Sequence, residues 1–422
     1  MDRRTFLQTL SATGVGTFAL GPRAWAATTA DGGSANRRMI VVFQRGAVDG
    51  LNVVVPYLED NYYRLRPRIA IARPGEPGGA LDLDGRFGLH PALAPMLPFW
   101  QQKSLAFVHA SGSPNTTRSH FAGQENIESG TPGNKATRDG WLNRLVGALP
   151  ANAELRAAPN RAISVGEATP RIFLGAQRVA TLASGNAATA PSALDRPGVH
   201  QGFAAVYKDD AKMGAAFQEQ SESRSEMAAA LSEAKMGRPE AAMQAASNGA
   251  PNAQAFAGDA ARLAALMRHD RRVQFGFLAV GGWDTHARQG GATGQLANLL
   301  APFAQGMATL AQALGPVYAE TTIVVISEFG RAVAQNGNGG TDHGHGNVMW
   351  LMGGNVAGGK VHGEWPGLAE GQLHEARDLR VVTDFRAIFA QVCERHLRLP
   401  GAKLAEVFPA MPAAQASLEL IA

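Results

Sequence analysis

Six short runs of almost uninterrupted apolar residues constrain this chain most: Met39 to Phe43, Leu105 to His109, Ala162 to Val165, Val273 to Val280, Thr322 to Ile326 and Val348 to Met352. A strand with one wet face alternates apolar and polar residues. Runs without alternation predict strands covered on both faces, as in a parallel sheet layered by helices. Helical spacing appears between some of them. Pro91 to Lys103 opens on proline and places Leu93, Met96, Leu97 and Trp100 three or four positions apart; Leu296 to Leu314 repeats that spacing until Gly315-Pro316 ends it. Strand and helix lengths of this kind predict an α/β fold, a doubly wound, mostly parallel sheet in an α-β-α sandwich. At 45% hydrophobic residues, the 422-residue chain has ample material for such a core. One stretch breaks the rhythm. Phe203 to about Arg268 is rich in Ala, Gln, Ser, Glu and Met, and predicts a helical insertion at about 203–270 in a domain running from 27 to 422.

The first 26 residues read as an export signal. Arg3-Arg4 stands before Phe6-Leu7, a mildly apolar stretch runs from Thr9 to Leu20, and Ala24-Trp25-Ala26 supplies small residues for cleavage. The stretch is too short and too diluted by Ser, Thr and Gly to span a bilayer, which needs about 20 apolar residues. Twin-arginine export, with the Tat translocase as a transient partner, implies a protein that folds before crossing and works in the periplasm or outside the cell. Three of the 39 basic residues (Arg3, Arg4 and Arg23) and one of the 35 acidic residues (Asp2) fall in this segment, so the net charge falls from +4 to +2 and the remainder is nearly neutral. No basic cluster interleaved with aromatics remains, which argues against nucleic acid as a partner. Cys393, the single cysteine, excludes an intramolecular disulfide and reads as a small buried residue of a late helix.

Three of the expected strands run into acids: Asp49 after the first, Asp284 with His286 after Val280, and Glu328 after Ile326. Ligands of open parallel sheets gather outside the carboxyl ends of the strands. Three acids delivered there predict a divalent-cation site, and His343 and His345 on a glycine-flanked loop add nitrogen donors. Imidazole with carboxylate suits zinc or manganese better than magnesium or calcium. Each piece also has an ordinary structural reading: Asp49 as a helix cap, Glu328 with Arg331 as a buried ion pair, His343 and His345 as a solvated pair. Only convergence on one point selects the metal. Thr117-Arg118-Ser119-His120 precedes a helix-like stretch, so Ser119 is either a helix cap or a hydroxyl nucleophile placed in the positive field of a helix start. Spacing leaves His120 open as general acid, ligand or support.

With Gln44-Arg45-Gly46-Ala47-Val48-Asp49-Gly50, Leu89-His90-Pro91, Thr117-Arg118-Ser119-His120-Phe121, Gly282-Trp283-Asp284-Thr285-His286, Ser327-Glu328-Phe329-Gly330-Arg331 and Asp342-His343-Gly344-His345-Gly346, the chain from about Arg38 onward resembles the domain of unknown function 1501 family. Members of that family look like the alkaline phosphatase and sulfatase superfamily in their core. The resemblance implies metals and a hydroxyl nucleophile at the carboxyl edge of the sheet: Asp49, Asp284, His286, Glu328 and His343 or His345 as ligands, Ser119 as nucleophile. Asp284 and His286 stand closer in sequence than in the phosphatases, and no histidine follows Glu328. One of the two metal positions is therefore expected to be altered or missing. The sulfatase Cys/Ser-x-Pro-x-Arg signature is absent, and no Gly-x-Ser-x-Gly elbow supports a metal-free esterase.

The expected activity is metal-dependent hydrolysis of a small anionic ester, phosphate or sulfate. The alternative is an exported, non-catalytic metal-binding scaffold that works through a co-exported partner protein, a partnership implied by the resemblance alone.

Overall fold

The computed structural model describes residues 37–151, 153–185, 245–412 and 418–422, with scattered positions between 202 and 217. The expected signal segment 1–26 and most of the expected helical insertion lie outside the described residues.

All six apolar runs are strands. They are β1 (Arg38–Gln44), β2 (Leu105–Gly112), β3 (Ala162–Val165), β5 (Phe275–Val280), β6 (Thr321–Ser327) and β7 (Asn347–Gly353); short strands β4 (Ala180–Leu182), β8 (Val361–His362) and β9 (Thr383–Asp384) complete a 9-stranded sheet. The order across it is β8-β2-β7-β6-β1-β5-β3-β4, with β9 also paired to β2. β1 is central, parallel to β5 and to β6, and every one of its residues is buried. β7 runs antiparallel to both β6 and β2. Its start therefore lies where its neighbours end.

Alternate β1 residues feed two cores. Ile40 and Val42 join a layer with Phe256, Leu263, Phe303, Met307 and Trp350, while Met39, Val41 and Phe43 join Trp141, Leu145 and Phe389 on the other face. The first layer is built by α3 (Ala253–His269) and α4 (Gln295–Leu314), the second by α1 (His120–Ser129), α2 (Trp141–Ala148) and α5 (Phe385–Gln391). In α4, Leu296, Leu300, Phe303, Met307, Leu310 and Leu314 are all buried at spacings of three and four, the stripe a helix needs to lie on a sheet. Gly306 of α4 permits the closest approach: a Cβ there would meet Phe256 Cδ1 at 2.4 Å. α3 comes from the end of the stretch expected to be an insertion, and it packs as an integral layer. The segment Pro91 to Gln101 begins as a 3-10 turn and becomes α-helical only after Met96, because Pro95 has no N–H to donate. Among the described residues, no helix is long and apolar enough to cross a membrane.

Candidate metal centre

The loops after β1, β2, β5 and β6 and the loop before β7 meet at one edge of the sheet. The antiparallel sense of β7 brings His343, which precedes a strand, beside acids that follow strands. Arg331 ties these loops together. Its buried guanidinium donates to the carbonyls of Ala47 (2.5 Å), Gly46 (2.7 Å), Trp283 (3.0 Å) and Thr341 (3.0 Å), and to Asp284 Oδ1 (2.6 Å). Trp283 anchors the Asp284 loop from below, its indole donating to Val280 O at 2.9 Å while the ring packs edge-on against Phe303. Gly46 has φ +117°, and a Cβ there would lie 2.9 Å from the Asp284 backbone nitrogen, so no larger residue fits beside this loop.

Three imidazole nitrogens surround a single carboxylate oxygen. Asp284 Oδ1 lies 3.0 Å from His286 Nε2, 3.2 Å from His343 Nε2 and 3.4 Å from His120 Nε2. His343 Nδ1 lies 2.7 Å from the carbonyl of Arg118, and His120 Nδ1 lies 2.8 Å from Glu328 Oε1. A carbonyl and an ionised carboxylate only accept, so both Nδ1 atoms carry hydrogen and the Nε2 lone pairs point at an oxygen that also only accepts. For His343 the Nε2 of His286, 2.9 Å away, can donate a hydrogen; for His120 the confrontation is unfavourable unless a proton or a cation intervenes. His120 Nε2 is buried and makes no hydrogen bond.

The electrostatics agree. Burial opposes charge on His120, but the carboxylates of Asp284 and Glu328 outweigh it and raise its pKa to about 9. Burial likewise works against ionisation of Asp284 and of Glu328. For Asp284, His120, His343 and Arg331 prevail, and for Glu328 His120 and Gln124 do; both carboxyls are held below their ordinary range. A proton on His120 is one way to bridge the two acceptors.

The donor set fits a metal. Among the described residues, His120, Asp284 and His343 form the group whose ligand atoms all lie within 4.8 Å of one another. Donors bound at about 2.0–2.1 Å to one tetrahedral ion stand roughly 3.3 Å apart, close to the 3.2 and 3.4 Å found here. In both histidines the second nitrogen is tied to an acceptor, the arrangement that orients metal-bound imidazoles. His286 flanks this group. Its Nε2 is 2.9 Å from His343 Nε2, its side chain is 43% exposed, and burial together with the charges of Arg331 and His343 lowers its pKa.

Other expected site residues stand apart. Asp49 is fully buried and salt-bridged to Arg66 at 2.6 Å, and Gln289 Nε2 donates to the same oxygen at 2.6 Å. Its Oδ1 has no hydrogen-bond partner among the described residues. His90, which feels the charge of Asp49, spends Nε2 on Gly291 O and Nδ1 on the Ala92 amide. Glu328 sits behind His120 as its acceptor, with a side chain 0% exposed. His345 is buried against His374, ring centroids 4.8 Å apart, and burial lowers its pKa to about 4. Ser119 is exposed at the N-cap of α1, and its side chain makes no capping hydrogen bond.

Spacing and motif gave no role to Arg66 and Gln289, which hold Asp49, or to Gln124 and Glu128, which with Arg45 form the buried polar frame behind Glu328. The one signal available was in α1, where Gln124 and Glu128 stand four residues apart on a face that turns out to be buried.

Comparison with known proteins adds a family and little else. A search of curated proteins finds no sequence match. Among solved structures, Ps i-CgsB in complex with k-i-k-neocarrahexaose is 11% identical with a TM-score of 0.37, covering 87% of this chain and 74% of that one. The lipoteichoic acid synthase LtaP from Listeria monocytogenes is 9% identical with a TM-score of 0.31, covering 82% and 72%. Likenesses at that level say nothing about the activity of this chain. The family described as "Protein of unknown function (DUF1501)" matches residues 36–408, nearly the whole described domain, and the chain belongs to that family.

Proposed function

We propose that this protein is a divalent-metal-dependent hydrolase of small anionic esters, phosphate or sulfate, with the cation held by His120, Asp284 and His343. The observation that carries the reading is the pair of imidazoles whose Nδ1 atoms are committed to acceptors and whose Nε2 atoms converge on an ionised carboxylate. Two nitrogens and one oxygen suit zinc or manganese. When bound, such a cation supplies positive charge beside an anionic ester oxygen.

The residues supply the rest. Arg331 keeps Asp284 ionised and its loop in place. Ser119, exposed, unspent on capping and one residue before His120, supplies the attacking hydroxyl in this reading. His286, exposed at the rim with its pKa lowered, takes up a proton there. Asp49, neutralised by Arg66, supports a single cation site and not a pair. In the same reading residues 1–26 carry the protein out by the twin-arginine route.

Ser119→Ala is expected to abolish turnover of an aryl phosphate or sulfate while metal content stays intact; full activity in that variant overturns the nucleophile assignment. A second reading, the non-catalytic scaffold with a partner protein, is favoured by one observation. Arg45, Arg66, Arg118 and Arg331 are all committed to carboxylates, so none of these guanidiniums is free to grip an ester anion. Stoichiometric metal with no turnover across a panel of esters supports the scaffold.

A further inference from the structure

The family resemblance expects Glu328 among the metal ligands, and the geometry moves it one bond back. Its Oε1 accepts from His120 Nδ1 (2.8 Å), the Gly46 amide (2.9 Å) and Gln124 Nε2 (3.1 Å), and its Oε2 lies 3.0 Å from Ser327 Oγ, whose single hydrogen also faces the Gln44 carbonyl at 2.6 Å. Oε1 is occupied by three donors, one of them His120 itself, and the side chain is closed off from solvent. The frame around it is directional. Arg45 only donates, so the carbonyl of the Gln124 amide faces Arg45 and its NH2 faces Glu328 and Ala246 O. Arg45 is fixed in turn by Glu128 at 2.7 Å, and both of those side chains are buried. Glu128 accepts the Ile172 amide at 3.0 Å through its other oxygen, which locks the far end to the backbone.

We propose that Glu328 is a positioning residue: held by Gln124, Arg45 and Glu128, it fixes His120 in the Nδ1–H form and so presents the Nε2 lone pair to the cation. The proposal rests on the metal reading, and extends it from the ligands to the frame that aims one of them. A ligand aimed this way binds more tightly because it needs no rotation and no change of tautomer, and outer partners of this kind are worth about 10–100-fold in metal affinity.

The test uses the full chain stripped of metal, titrated with Zn2+ against a chromophoric chelator, with the melting temperature of each metal-free variant measured in parallel. Glu328→Gln keeps the shape and an acceptor but loses the charge. It is expected to weaken zinc binding about 10–100-fold with the stoichiometry unchanged. His343→Ala, which removes a ligand, is the reference for full loss. Affinity within twofold of the unmodified chain overturns the proposal, and so does loss as complete as in His343→Ala, which makes Glu328 a ligand. Should Glu328→Gln fail to fold, Gln124→Met removes one donor to the carboxylate and breaks the link to Arg45; a loss up to about tenfold supports the proposal and unchanged affinity overturns it. A metal-free melting temperature that falls while zinc affinity holds marks a structural role alone. Failure of the metal reading itself is distinguishable, because the unmodified chain then takes up no zinc.

Discussion

Asp49 and Asp284 are both carboxylates delivered by parallel strands to the same sheet edge, and they meet opposite environments. Asp49 faces a guanidinium and an amide, Arg66 and Gln289, whose hydrogens point at it. Its charge is countered within the protein, both donors meeting the same oxygen. Asp284 also touches a guanidinium, Arg331, but its same oxygen faces imidazole nitrogens of His120 and His343 whose hydrogens are spent on the far side of the ring. That charge asks for something exchangeable. Position along a strand decides which acids reach the edge, and the donor or acceptor character of the neighbours decides which acid becomes a site.

The comparison breaks most visibly under matched substitutions. Asp284→Ala is expected to lose stoichiometric zinc, with any ester turnover lost alongside, as read by metal analysis of the purified chain. Asp49→Asn is expected to keep its zinc and lose stability instead. It leaves Arg66 buried without a full countercharge, at a cost of about 3–5 kcal/mol in denaturant unfolding. Zinc lost from Asp49→Asn erases the distinction between the two acids. A smaller effect sharpens it. The pKa of His120 is raised to about 9, so its proton competes with the cation, and zinc affinity is expected to climb roughly tenfold per pH unit toward pH 9 and then level off. The same shift has a sign for the metal-free fold. The folded pKa exceeds the unfolded one, so its stabilising contribution is complete below about pH 6.5 and is lost as the pH rises through 9. Melting temperatures of the metal-free chain across that window check the direction.

Much of the fold was legible because burial on two faces writes itself as uninterrupted apolar runs, and all six runs are strands. The antiparallel sense of β7 was not legible, since a buried strand reads the same in either direction. That sense explains how a loop before a strand joins loops after strands. At the site the loops bring Asp284 close to His286, and His120, Asp284 and His343 into one group. The role of Asp49 was hidden. Its partner Arg66 lies in no motif, and a salt bridge between residues 17 apart leaves no periodic trace. Glu328 read as a ligand because sequence shows that an acid reaches the edge and not which way a neighbouring ring has turned.

On the proposed reading, a single divalent ion sits between His120, Asp284 and His343. Metal quantitation of the chain purified from its native host, set beside His343→Ala prepared identically, tests it most directly. One equivalent of zinc or manganese in the unmodified chain and none in the variant is the expected result. An equal metal content in the two preparations, or none in either, contradicts the account.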